Sequence, residues 1–168
     1  FRLIGSKKLL AHVSEPRRAA HKIADEVVLL VTGEPGVADT KMAFASTRSG
    51  VKELYLMDYD GAGPAAMTAN KSINMSPNWS PDSRSLAFTS YMNGYPFLYR
   101  IFPFDRRPVQ LLAGYAGINS SPSWSPDGHS VALTLSKDGN PEIYLLTVAT
   151  GAFRRLTTHA AIDTEPTW

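Results

Sequence analysis

Two thirteen-residue phrases, SPNWSPDSRSLAF from Ser76 to Phe88 and SPSWSPDGHSVAL from Ser121 to Leu133, stand 45 positions apart, and a third copy opens with EPTW at Glu165 to Trp168. A repeat at a fixed period limits a fold more than local propensity does, because each copy must be one structural unit that buries its core against its neighbours. The period continues between the phrases. MAF (42–44), LAF (86–88) and VAL (131–133) follow one another at 44 and 45 residues. ELYLMD (53–58), FLYRIF (97–102) and EIYLLT (142–147) keep the same offsets, as do AAMT (65–68), VQLL (109–112) and FRRLT (153–157). PNW, PSW and PTW supply a fourth element, and each copy of the phrase reads as the join between one repeat and the next. Ser49-Gly50, Asn93-Gly94 and Asp138-Gly139 punctuate the first two runs of each repeat as turns. Four short strands in about 44 residues is the period of one β-propeller blade.

Within the phrase, residue chemistry assigns structural work. Trp79 and Trp124 are large rigid aromatics at a repeated position and are expected between adjacent sheets. In Ser-Pro-Asp, proline sets φ and the carboxylate can accept backbone N–H groups, which makes a tight turn before the LAF-type strand. Asp82 and Asp127 therefore read as turn residues rather than catalytic acids. Ser83 takes the position that Gly128 fills in the second copy, which weakens the first turn slightly.

The first 40 residues follow another pattern. EPRRAAHKIADEVVLLV at 15–31 places Ala20, Ile23, Ala24, Val27 and Val31 on one helical stripe, with Arg18, Lys22, Asp25 and Glu26 on the other side. Ser14 is the expected N-cap, Pro16 falls in the first turn, and Gly33 is a C-terminal stop. The stripe predicts a surface helix packed on a sheet, for which KKLLAHV at 7–13 is a candidate strand. Residues 1–40 thus read as the end of an α/β domain plus the connector GEPGVADT, and 41–168 as a partial propeller. The expected fold class is mainly β: just under three four-stranded blades.

Composition excludes several functions. Formal net charge is +2, and no basic run exceeds two residues, so nucleic acid is not an expected partner. VVLLV at 27–31 is far too short to cross a bilayer, and no direct membrane insertion is expected. Without cysteine there are no disulfides or thiolate metal sites. FRLIGSKKLL shows no signal-peptide cleavage site and reads as an internal piece of a longer protein. No Gly-x-Ser-x-Gly elbow occurs, and His12, His21, His129 and His159 have no metal-ligand spacing. His21 and Asp25, one helical turn apart, could pair, though a solvated surface pair is the simpler reading. DYDG at 58–61 hints at a calcium loop but lacks the ligands that should follow, so a hairpin turn at Asp60-Gly61 is expected. No enzyme activity, cofactor or metal is expected.

RRAAHKIADEVVLLVTGEPGVADTKMAFAS (17–46), followed by SPNWSPDSRSLAF, SPSWSPDG and DTEPTW, resembles the TolB family of the bacterial Tol–Pal system. The helix phrase is the more specific part, since WSPDG-type repeats occur in many propellers. The resemblance implies a periplasmic scaffold without catalytic activity, in which an N-terminal α/β domain precedes a six-bladed propeller. It implies binding of the lipoprotein Pal through a propeller face, and of TolA through an N-terminal segment absent from this chain. Roles in outer-membrane integrity, cell division and bacteriocin import come with it. Carried over by motif, the Pal-facing loops ahead of each Pro-x-Trp strand contain Asn74 and Met75, then Ile118, Asn119 and Ser121, then Asp163, Thr164 and Glu165. On turn chemistry alone these residues read first as inter-blade connections, and it is the resemblance that raises the docking reading beside it. Two alternatives share the repeat: a propeller gating a prolyl-oligopeptidase-like serine hydrolase, and a propeller binding a small saccharide or peptide.

Overall fold

The computed structural model describes residues 15–168; Ser14 and the strand expected at 7–13 lie outside the described residues. By proximity the chain divides into two compact units, residues up to Met42 together with Leu56–Ala65, and Ala43–Tyr55 together with Ala66–Trp168.

In the first unit, helix α1 spans Pro16–Thr32. Proline sits in its first turn, where the missing N–H leaves no helical bond unmade. The N-cap position falls on Glu15, whose side chain makes no capping hydrogen bond. At the other end Gly33 takes φ 80° and returns its N–H to the Leu29 carbonyl at 2.9 Å, as a left-handed C-cap requires. The strand on which the apolar stripe is expected to pack lies outside the described residues. No residue of α1 is buried, and Ile23, Val27 and Val31 are 53%, 54% and 67% exposed.

Asp25 and His21 do not pair with each other. The Asp25 carboxylate accepts the N–H groups of Ala38 at 2.6 Å and Asp39 at 2.9 Å, so it pins the connector back onto the helix. Gly36 crosses so close to Asp25 that no side chain fits there. His21 Nε2 instead lies 3.0 Å from Asp60, which also binds Arg17. DYDG is the expected turn: Gly61 has φ 85°, and Asp58 exchanges bonds with Ala62 and Gly61, both at 2.9 Å. Asp58 is occupied by Lys41 and Arg17, so the carboxylates that suggested calcium are neutralised by cationic side chains.

Eleven strands follow the helix: β1 (Lys41–Ser46), β2 (Glu53–Asp58), β3 (Ala65–Ala66), β4 (Asn74–Trp79), β5 (Leu86–Ser90), β6 (Phe97–Ile101), β7 (Gln110–Ala113), β8 (Asn119–Trp124), β9 (Ser130–Leu135), β10 (Glu142–Thr147) and β11 (Ala152–Arg155). They form three sheets ordered β1-β2-β3, β4-β5-β6-β7 and β8-β9-β10-β11. Every recorded pairing in the last two sheets is antiparallel. The tight turns come where expected, with Gly50, Gly94 and Gly139 at φ 93°, 85° and 120°.

One expectation shifts by a strand. The Pro-x-Trp strand opens the following sheet instead of completing the preceding repeat: β4 pairs with β5, Trp79 opposite Leu86, and β8 pairs with β9, Trp124 opposite Val131. The Ser-Pro-Asp turn is the reason. Ser80 and Ser125 each close a hairpin, bonding Ser85 and Ser130 through backbone and hydroxyl at 2.9–3.0 Å.

The core lies between sheets. Ala87, Leu98 and Ala113 pack with Trp124, Val131, Leu133, Leu135, Tyr144 and Leu146, so Trp124, 6% exposed, fills the space between the second and third sheets. Trp79 is only half-buried and stacks on Phe104 at 6.1 Å. Two buried carboxylates stand at equivalent repeat positions. Glu53 accepts the Thr68 hydroxyl at 2.5 Å and the Lys71 N–H at 2.8 Å. Glu142 accepts the Thr157 hydroxyl at 2.5 Å and Arg155 at 2.7 Å. In the middle repeat Phe97 and Leu112 occupy those two positions.

Candidate docking face

Each loop ahead of a Pro-x-Trp segment ends in the same backbone contortion. Ser76, Ser121 and Glu165, the residues immediately before the prolines, have φ 52°, 52° and 56°. Left-handed backbone at a residue with a side chain costs of order 1–3 kcal/mol, and a following proline already disfavours the right-handed helical alternative. In β4 and β8 the cause is a bulge. The ladder slips between Met75 and Asn78 and again between Ser120 and Ser123, and the proline within each slip has no N–H to leave unpaired.

A second regularity stands three residues earlier. Ile73, Ile118 and Ile162 are 47%, 38% and 68% exposed, one at the same point of each loop. A backbone bond fixes the residue after each: Asn74 N–H reaches Lys52 O at 2.8 Å, Asn119 N–H reaches Pro96 O at 3.1 Å and Asp163 N–H reaches Pro141 O at 3.0 Å.

The residues expected here therefore fall into two groups. Asn74 and Asn119 are fully buried and present nothing outward. Asn74 Nδ2 donates to Glu53 at 2.8 Å, Asn70 at 2.9 Å and Ser72 O at 3.0 Å. Asn119 accepts the Tyr115 N–H at 3.0 Å and donates to Tyr115 O at 2.8 Å and Pro96 O at 3.1 Å. A buried amide with several partners holds the loop's shape, so both asparagines are corrected from contact residues to braces. Met75, Ser121 and Asp163 are half-buried, while Ile118, Thr164 and Glu165 are exposed. Sequence reasoning passed over Ile73, Ser76 and Ile162. Laying the third phrase over the first two from the isoleucine onward, as INMSPNW, INSSPSW and IDTEPTW, identifies all three.

The Ser-Pro-Asp turns sit at the opposite end of β4 and β8 from these loops. Asp82 accepts Ser80 Oγ at 2.6 Å and the Arg84 N–H at 3.0 Å; Asp127 accepts Ser125 Oγ at 2.6 Å and the His129 N–H at 2.9 Å. The serine hydroxyl first, and then the backbone N–H, hold each carboxyl below its ordinary range. A carboxylate so occupied shapes a turn and is poorly suited to take up a proton at neutral pH. Among the described residues, no group of three or more His, Asp or Glu side chains is placed to hold a metal ion. The loops carry small polar groups, exposed isoleucines and a carboxylate on rigid backbone, a mixture suited to contact with another macromolecule.

Four-stranded antiparallel sheets repeated in register, an aromatic packed between them and a face assembled from equivalent loops define a β-propeller built of WD40-like repeats. The family model for the TolB beta propeller domain matches residues 29–168, and the chain belongs to that family. The Tol-Pal system protein TolB of Bordetella pertussis is 43% identical over 90% of this chain and 35% of its own length. Its namesake from Anaeromyxobacter sp. is 34% identical over 96% of this chain and 37% of its own. The crystal structure of TolB from Acinetobacter baumannii superposes with a TM-score of 0.86 at 29% identity, covering 98% of this chain and 42% of that one. The chain thus spans little more than a third of these curated relatives. No helix among the described residues is long and apolar enough to cross a membrane.

Proposed function

We propose that this chain is a non-catalytic docking module of the periplasmic Tol–Pal system, and that it binds the lipoprotein Pal through the loops ahead of the Pro-x-Trp segments. The observation that carries the reading is the threefold coincidence of an exposed isoleucine with a left-handed residue before proline, at Ile73/Ser76, Ile118/Ser121 and Ile162/Glu165. Backbone strain of this kind persists where the surroundings over-determine it, and it is concentrated at working surfaces. Here Asn74 and Asn119 supply the bracing. Membership of the TolB propeller family favours docking over the hydrolase-gating and saccharide-binding alternatives. On this reading Ile118, Ser121, Asp163, Thr164 and Glu165 are contact residues, Met75 lies beside them, and a partner buries the isoleucines. Engagement of TolA belongs to a segment outside this chain. Outer-membrane integrity, cell division and bacteriocin import are the processes such a module serves.

The test is calorimetric titration of the complete protein with purified Pal. Ser121→Arg and Thr164→Arg each place a long cation on the face and are expected to weaken binding. Circular dichroism should be unchanged, because surface substitutions typically alter stability by about 0.5 kcal/mol or less. Unchanged affinity in both folded variants would place the Pal contact elsewhere.

A further inference from the structure

The stretch joining β6 to β7, FPFDRRPV at 102–109, differs from its counterparts in the other two sheets. DYDGAGP at 58–64 and TVATGA at 147–152 fill that place with glycine turns and carry no arginine, whereas the middle copy sets two phenylalanines and two arginines there. Its side chains hold one another. The Asp105 carboxylate accepts Arg107 Nε–H at 3.1 Å and Nη2–H at 2.5 Å, and the Arg107 guanidinium lies 3.8 Å from the centre of the buried Phe102 ring. Phe104 stacks on Trp79 at 6.1 Å, only 12° from parallel, yet remains 59% exposed.

Arg84, from the Ser-Pro-Asp turn between β4 and β5, joins Phe104, Asp105 and Arg107 to line a cleft of about 220 Å³. Its guanidinium makes no hydrogen bond, ion pair or ring contact among the described residues. Asp82, close by in the turn, is already taken up by Ser80 Oγ and the Arg84 backbone N–H. The third sheet has His129 in place of Arg84, so the combination occurs once. Charge and size then define a ligand. Asp105 neutralises Arg107, which leaves the cleft with the single uncompensated cation of Arg84. A dianion such as phosphate would meet the Asp105 carboxylate, whereas one incoming carboxylate matches the guanidinium fork with two parallel bonds. Whole small ligands occupy pockets of about 300–1,000 Å³. This cleft therefore takes one charged group and a short stem, to which Phe104 offers an apolar face.

We propose that Arg84 and Phe104, braced by the Asp105–Arg107 pair, form a binding site for a monocarboxylate on a short apolar or aromatic stem, carried by a free acid or by the last residue of a peptide chain. Arg84 grips the carboxylate and Phe104 covers the stem, while Arg107 adds positive field from a position fixed by Phe102 and Asp105. Leu86 faces Ile101, so the turn holding Arg84 and the loop after β6 emerge at the same end of the second sheet. That is the opposite end from the loops ahead of the Pro-x-Trp segments, and the site owes nothing to the Pal reading.

Titration of the complete protein with hippurate, an aromatic monocarboxylate, followed by nuclear magnetic resonance, tests it. The indole N–H signal that Trp79→Phe removes should shift and saturate, with a dissociation constant of about 1 mM for a ligand of this size. Hippuramide, the uncharged amide, should leave that signal in place. Arg84→Gln should weaken hippurate binding about tenfold or more. Arg84→Lys should weaken it less, because the charge survives without the fork, and Phe104→Ala should weaken it by removing the stem's platform. Circular dichroism and the affinity for Pal should stay the same in Arg84→Gln. The peptide acetyl-Ala-Ala-Phe with a free C-terminal carboxylate separates the two sources: binding tighter than hippurate assigns the site to a chain terminus, and weaker binding assigns it to a free acid. Inorganic phosphate that shifts the same signal as strongly would overturn the ligand class. No saturable shift, or equal affinity in wild type and Arg84→Gln, would overturn the site.

Discussion

The Trp124 N–H donates to the Asn78 side-chain oxygen at 2.9 Å across the join between two sheets. Asn78 is the middle residue of one Pro-x-Trp and Trp124 the last of the next. The same two positions meet once more, where the Trp168 indole reaches Ser123 O at 2.9 Å. Successive phrases are therefore tied directly to one another, and Trp124 adds its ring to the inter-sheet core. Trp124→Ala is expected to cost about 3–5 kcal/mol, the range for deleting a large core aromatic. Asn78→Ala should cost about 1 kcal/mol, the net worth of one hydrogen bond. Urea denaturation of both variants checks the pair; equal, small losses would remove Trp124 from its packing role.

Ser83 has φ 56° where Gly128 has φ 71° in the same turn of the next repeat. A side chain in left-handed backbone crowds the following carbonyl, at a cost of roughly 1–2 kcal/mol. Ser83→Gly is therefore expected to stabilise by about 1 kcal/mol, read as a higher urea midpoint with unchanged slope. Gly128→Ser should move the midpoint the other way.

Gly36→Ala should loosen the connector after α1. The added methyl meets the Asp25 backbone and carboxylate, which cannot move without releasing the N–H groups of Ala38 and Asp39. A loss of about 1–3 kcal/mol, usual for forced overpacking, should appear as faster amide exchange at 38 and 39. The sheets at 86–155 should keep their protection.

The chain should lose stability at both pH extremes through identifiable groups. The Thr157 hydroxyl, with Arg155 beside it, holds the Glu142 carboxyl below its ordinary range. A depressed native value means the unfolded chain binds the proton more readily. That contribution is complete above the ordinary carboxylate range and is lost as pH falls through the native value. Thr157→Val should move the acid-unfolding midpoint toward neutral pH, and Thr157→Ser should restore it. Tyr144 goes the other way: burial, and then the bond its hydroxyl donates to Asp138 at 2.5 Å, push its phenol up to about 12. Its contribution is complete below about pH 10, the ordinary tyrosine value, and lost through about 12. Absorbance titration at alkaline pH should show a late phenol that Tyr144→Phe removes.

Much of this was legible in the chain itself, and the failures have particular causes. The period, the strands and the glycine turns follow from alternation and turn chemistry, which act over a few residues. The phase of the repeat did not, because a period can be cut at either side of a join. Only the Ser80–Ser85 hairpin shows that Trp79 belongs with the strand after it. Asn74 and Asn119 looked like loop surface, since asparagine favours turns wherever it is exposed. Their burial depends on carbonyls at Lys52 and Pro96, which lie 22 and 23 positions away. The His21–Asp25 pairing failed similarly: helical spacing brings the two within reach, but Asp60 and the Ala38–Asp39 backbone compete for them and win.

The buried glutamates also bear on how a chain of near-identical hairpins avoids misfolding. Repeat proteins risk pairing a strand with the right neighbour from the wrong copy. Glu53 and Glu142 meet hydroxyls at Thr68 and Thr157, whereas the middle copy carries the apolar Phe97 and Leu112 at those two positions. Were β2 to pair with β7, Glu53 would face Leu112, and a carboxylate would be shut away from water with no donor to meet it. Were β6 to pair with β3, Phe97 would strand the Thr68 hydroxyl. The alternation of polar and apolar partners thus acts as an address on each hairpin, so that a swapped pairing is penalised before the sheets ever stack.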